Sequence, residues 1–248
     1  MGVSKESETR VDMGLEMVDV DALDTGHYHA MVIVDPTDKR DIKGFLHFYR
    51  AYSETMRMLD WNNDWSRIGI AMAELIDAVN RYTDIRADMA GIVTFNNKQE
   101  LMKTPWTYAK VHTSFQLTDS EIQNIGRYFV QGGFLFFEPT LHSTAYWSGV
   151  GGDKSVRETF KQAIEGQGFR GERDWRIERI PNNHPIYHCY FDFDSLPLVG
   201  FSGGRSAHPD IPVVDYLDGV YLERRMVGIV SNAIFQSAWG DVKLGYRN

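Results

Sequence analysis

Apolar residues return at Ile68, Met72, Leu75, Ile76 and Val79, three and four positions apart. That spacing lays one stripe along a helix and predicts an amphipathic helix over Trp65 to Tyr82, with Asp64 as its cap. Met89 to Phe95 (MAGIVTF) is instead an unbroken apolar run and predicts a strand covered on both faces. Trp106 to His112 predicts another strand. From Leu117 to Gln131 the helical period returns, with Ile122, Ile125 and Phe129 inward. Thr118 and Glu121 make the capping-box pattern at its start, and Gly132-Gly133 ends it. Phe134 to Phe137 (FLFF) follows at once as a buried central strand, so helix, double glycine and strand read as part of a βαβ unit.

The flanks carry weaker patterns. His29 to Asp35 (HAMVIVD), closed by Pro36, and Gly44 to Arg50 (GFLHFYR) are β-rich runs around a charged turn and predict a hairpin. Downstream, Ser155 to Gln167 reads as a helix and Trp175 to Ile180 as an alternating strand. Gly200 to Pro212, rich in Gly, Ser and Pro, reads as a mobile loop, and Gly219 to Leu222 and Met226 to Val230 as two closing strands. Residues 1–26 are polar and acidic and predict an extended arm ahead of a single α/β domain over 27–248.

Composition narrows the partners. The chain has 248 residues, 43% of them hydrophobic and 24% charged, enough for a sizeable core. A net charge of -8 leaves no electrostatic basis for nucleic acid as a partner. Cys189 is the only cysteine, so an intrachain disulfide, a CxxC pair and a multi-thiolate zinc site are all excluded. No apolar stretch is long enough for an integral membrane segment or a signal core, and Glu6 stands where a myristoylation signal needs Ser or Thr. The expectation is a cytoplasmic chain, with a mature exported protein as the alternative.

Several stretches occur in an order that resembles the bacterial domain of unknown function family 4159. They are Asp64 to Ile85, Pro105 to Tyr108, Arg127 to Phe136, His184 to His188, and Gly219 to Trp239 with Arg225 and Gly228. That family is similar to the class I glutamine amidotransferase-like superfamily. The resemblance implies a flavodoxin-like three-layer α/β domain with a mostly parallel central sheet and helices on both faces. Catalytic members of the superfamily place a cysteine on the sharp turn after the strand corresponding to Phe134 to Phe137. Here Glu138, Pro139 and Thr140 stand there, and Cys189 lies in another motif. The usual Cys-His chemistry is therefore absent.

In an open parallel sheet, ligands bind outside the carboxyl ends of the strands. The residues expected there are Arg50, His112, Glu138 and Asn232. Glu138 and His112 could serve as an acid and base pair, or Glu138 could cap a turn or pair with an arginine. His184 and His188, beside Cys189, are candidate metal ligands or hydrogen-bonded members of a rigid turn around Pro185. His27 and His29 alternate, so on a strand they would share a face and could pair on a metal given a third ligand from elsewhere, or they lie in solvent at the end of the arm. Gly200 to Arg205 could cradle an anion through backbone N–H groups and Arg205, although it lacks a P-loop ending. Trp61, Trp65, Trp106, Tyr146 and Trp147 stand in or beside predicted loops as candidate interface anchors. The leading expectation is a non-catalytic amidotransferase-like domain acting as a binding or assembly subunit, with a protein partner or a homo-oligomer and no cofactor. The alternative is a hydrolase using Glu138 and histidines, metal-assisted or not. A sensor of a carbohydrate-like ligand is a third reading.

Overall fold

The computed structural model describes residues 30–56, 61–111, 113–139, 152–197 and 214–232, with the side chains of 61–67 excepted. β1 (Ala30–Val34) and β2 (Ile42–Tyr52) form the expected antiparallel hairpin. Asp35 stiffens its turn by accepting hydrogen bonds from the Thr37 N–H, the Thr37 hydroxyl and the Asp38 N–H. Gly44 is obligatory beneath it, because a Cβ there would lie 1.9 Å from the Met31 carbonyl oxygen. α1 (Trp61–Tyr82) starts earlier than its apolar stripe indicates, so Asp64 lies inside the helix and does not cap it.

β3 (Asp84–Thr94) follows α1, then the short α2 (Lys98–Leu101) and β4 (Trp106–Val111). The Thr118–Glu121 capping box forms as read and opens α3 (Asp119–Val130). The helix ends in a Schellman turn: the Gly133 N–H reaches the Tyr128 carbonyl and the Gly132 N–H that of Phe129, with Gly132 at φ 106°. A Cβ on Gly133 would strike the Tyr128 ring at 2.1 Å, so both glycines are needed. β5 (Phe134–Pro139) and α4 (Gly152–Glu165) come next. They are followed by β6 (Trp175–Arg179), a 3-10 turn (Pro185–Tyr187), β7 (Asp218–Leu222) and β8 (Arg225–Val230).

The eight strands make one mixed sheet in the order β1-β2-β4-β5-β8-β7-β6, with β3 on the other side of β2. β2·β3, β2·β4, β4·β5 and β5·β8 are parallel, whereas β1·β2, β6·β7 and β7·β8 are antiparallel. The expected flavodoxin-like, mostly parallel sheet flanked by helices is thus overturned. Three of seven pairings run antiparallel, and the described residues set only four α-helices against eight strands. Over β8 and β7, on the α1 face, an irregular segment takes the place of a helix: Ile180, Tyr187 and Leu196 pack there with Leu217 and Ile229. The physical reason is local. Leu222 and Arg225 are separated by two residues, with Glu223 at φ 53°, and so short a connection can only return the chain antiparallel.

Alternation along β4 and β5 divides the core. Trp106, Tyr108 and Phe136 face α1 through Ile68 and Met72. Ala109, Val111, Leu135 and Phe137 face α3 and α4 through Ile125, Phe129, Val156 and Phe160. The motif residues of the last strand have packing roles. Arg225 donates to the Phe129 carbonyl at the end of α3, and a Cβ on Gly228 would lie 2.7 Å from both the Leu135 carbonyl oxygen and the Phe160 ring. β3 departs from its apolar run: it is an outer strand, with Met89 and Ile92 exposed at 37% and 58%.

Candidate functional site

The parallel strands β2, β4 and β5 carry four buried polar side chains in neighbouring register positions, all on the face that carries α1. Register sets Arg50 beside Tyr108, and Lys110 beside Glu138. The four are nearly removed from solvent: Arg50 is 8% exposed, Tyr108 1%, Lys110 4% and Glu138 0%. Lys110 Nζ lies 3.3 Å from Glu138 Oε1, a buried ion pair between adjacent strands. Burial pushes the Tyr108 hydroxyl well above the ordinary tyrosine range; the Glu138 charge adds to this and the Arg50 charge opposes it. Desolvation draws the Arg50 guanidinium down to about 10, against the pull of Tyr108.

Asn232 follows β8 and turns elsewhere. Its Nδ2 donates to Asp153 Oδ1 at 3.1 Å in the first turn of α4. Asp153 also accepts from Arg157 Nε at 2.9 Å, and the Arg157 guanidinium continues to Asp218 on β7. Desolvation works against the charge on Arg157, but its two carboxylate partners prevail and raise its pKa. Asn232 Oδ1 is buried and makes no hydrogen bond among the described residues. This chain of polar contacts holds α4 to the end of the sheet. An open groove of about 500 Å³ beside it, between α4 and β6, is lined by Lys154, Arg157, Lys161 and Arg176 against Asp153, Glu158 and Glu172. Charges of both signs nearly balance there, so the groove selects no ligand by charge.

The remaining candidates separate. His112, Arg205, His27 and His29, the loop 200–212, Tyr146, Trp147 and the side chains of Trp61 and Trp65 lie outside the described residues. His184 caps the 3-10 turn, its Nδ1 accepting from the Ile186 N–H at 3.1 Å. His188 places Nε2 2.9 Å from the Asn182 carbonyl oxygen and Nδ1 3.3 Å from Asp192. Both rings thus serve the fold of their own segment. Among the described residues no cluster of three or more His, Cys, Asp or Glu side chains is placed to hold a metal. Cys189 is exposed, with its thiol directed at the Ile186 carbonyl.

Of the residues the sequence places at the carboxyl ends of the strands, Arg50, His112, Glu138 and Asn232, the structure gives Arg50 and Glu138 two further buried neighbours, Tyr108 and Lys110, that the sequence pattern did not single out. A signal was present: a lysine inside the strand WTYAKV must bury its charge or find a partner.

The family model described as "Domain of unknown function (DUF4159)" matches residues 51–245. The chain belongs to this family. The match begins at the end of β2 and takes in every later described element, so this DUF4159 domain includes the Lys110–Glu138 pair, while Arg50 stands one residue ahead of it. A search of curated proteins finds no match. Among the described residues of this DUF4159 protein, no helix is long and apolar enough to cross a membrane.

Proposed function

We propose that this chain is a non-catalytic, amidotransferase-like domain that works as a binding or assembly subunit. The observation that carries this reading is the state of Glu138. It follows the strand that, by the resemblance, corresponds to the one preceding the catalytic cysteine of the amidotransferase-like superfamily, and it is fully buried and ion-paired with Lys110. A general base must reach a substrate or a water molecule directly. A carboxylate held inside the wall by an ammonium supports the strand ends instead. The only thiol in the chain, Cys189, sits exposed in the segment after the 3-10 turn.

The test is to purify the chain from its native host and analyse by mass spectrometry what co-elutes, together with total metal. A stoichiometric protein partner without metal is the expected result. A lone chain carrying stoichiometric metal that is lost on replacing His184 or His188 with alanine overturns it in favour of a metal-assisted hydrolase. Glu138→Gln separates the readings further. A structural carboxylate lowers stability when replaced, whereas a catalytic one abolishes turnover at unchanged stability.

A further inference from the structure

His188 meets an acceptor at each of its ring nitrogens. Nε2 lies 2.9 Å from the Asn182 carbonyl oxygen, and Nδ1 lies 3.3 Å from Asp192 Oδ1. A carbonyl oxygen only accepts hydrogen bonds, and so does an ionised carboxylate. Neutral imidazole has a single N–H. Whichever tautomer forms, it serves one of these partners and turns a nitrogen lone pair toward the other. Imidazolium has two N–H groups and serves both, so the two-acceptor geometry fits the charged ring.

Asp192 remains an acceptor wherever an imidazole titrates. Lys39 of the β1–β2 turn pairs with the same Oδ1 at 2.5 Å, and that hydrogen bond, ahead of the smaller pull from His188, holds the Asp192 carboxyl below its ordinary value. Arg40 of the same turn donates from Nε to the Tyr190 carbonyl. Among the described residues, the charged groups that touch residues 188–192 are therefore Asp192 within the segment and Lys39 and Arg40 from the hairpin. Two further contacts hold the stretch without involving the ring: the Tyr190 hydroxyl donates to the Tyr82 carbonyl at the end of α1, and the Phe193 N–H to the Tyr187 carbonyl. Asn182 lies before the 3-10 turn and Asp192 after it, so a doubly bonded His188 closes the segment across that turn, and Lys39 carries the closure to the hairpin.

We propose that His188 is a proton-operated clasp: the protonated ring ties Asn182 to Asp192, and through Lys39 to the β1–β2 turn, and its deprotonation loosens residues 188–194. The sign follows from the geometry. The closed contacts favour the imidazolium, so their contribution is complete at pH below the imidazole range and is lost as pH rises through it, a change that falls between about pH 5 and 8. The clasp stands apart from the assembly reading above, because it needs no partner and works in the isolated chain.

Hydrogen exchange of the 182–194 amides in the full chain, measured against the intrinsic rate at each pH, tests it. Protection is expected to fall about threefold to tenfold from about pH 5.5 to about pH 8, the worth of one hydrogen bond, with a midpoint that coincides with the titration of the His188 ring followed by NMR. His188→Gln, whose amide donates to one partner at every pH, is expected to abolish the dependence. Asp192→Asn, whose amide donates to the lone pair of a neutral ring, is expected to shrink it. Circular dichroism and melting temperature check that both variants fold, and the coincidence of midpoints in the unaltered chain decides the matter if either does not. Protection that is constant over this range, a midpoint away from that of His188, or a dependence undiminished in either variant overturns the proposal.

Discussion

Lys110 and Glu138 are sealed as an ion pair between two adjacent strands, 4% and 0% exposed. Removing one member of a buried ion pair strands the other charge, and such changes cost about 3–5 kcal/mol, whereas replacing both with apolar groups of similar size is far less damaging. Lys110→Met alone is therefore expected to destabilise strongly, and Lys110→Met with Glu138→Leu to destabilise less than either single change. Urea denaturation midpoints measure both. Asp174 gives a contrasting, half-buried case. Its carboxylate accepts from the Arg173 guanidinium and from the Arg170 N–H, which lowers its pKa from 3.8 to about 2. A depressed carboxyl stabilises the fold fully above its unfolded value, and the contribution fades as pH falls through the folded value. Protection of the 170–174 amides, measured against the intrinsic exchange rate at each pH, is thus expected to hold at pH 5 and to fall toward pH 2, and Asp174→Asn should remove that dependence.

At the scale of elements, α3 has the most complete local code. Its capping box ties Thr118 and Glu121 to each other's backbone N–H groups, so Thr118→Ala is expected to cost about 1 kcal/mol in thermal or chemical unfolding. Gly126 tests the α3–α4 contact. A Cβ there would lie 2.2 Å from the Ala163 carbonyl oxygen, so Gly126→Ala, which would raise helix propensity on an exposed helix, is expected here to destabilise by about 1–3 kcal/mol. Differential scanning calorimetry decides the sign. Such elements were legible because their signals sit within a few residues of one another. β3 was less so: its apolar run MAGIVTF gives no sign of which neighbours flank it, and an edge position leaves Ile92 in water. The sheet ends instead carry charge, Arg86 and Asp88 on β3 and Arg176, Glu178 and Arg179 on β6, which discourages further strand pairing.

Across the whole molecule, β4, β5 and β8 lie inside the sheet between two packed faces, and the outer strands β1, β3 and β6 pair on one side only. Native-state hydrogen exchange should accordingly be slowest in β4, β5 and β8 and fastest in β1 and β6; equal protection across the sheet would contradict this layering. By itself the sequence determined the hairpin, the start and stop of α3, the buried FLFF strand and the lack of a cysteine after it, because periodicity, caps, turns and residue identity are local properties. Tertiary structure alone decided which strands run antiparallel, which apolar run stands at an edge, and that Glu138 meets Lys110, 28 residues away. Those outcomes depend on strand order and register, which bring distant residues within a few ångströms, and no local pattern encodes them.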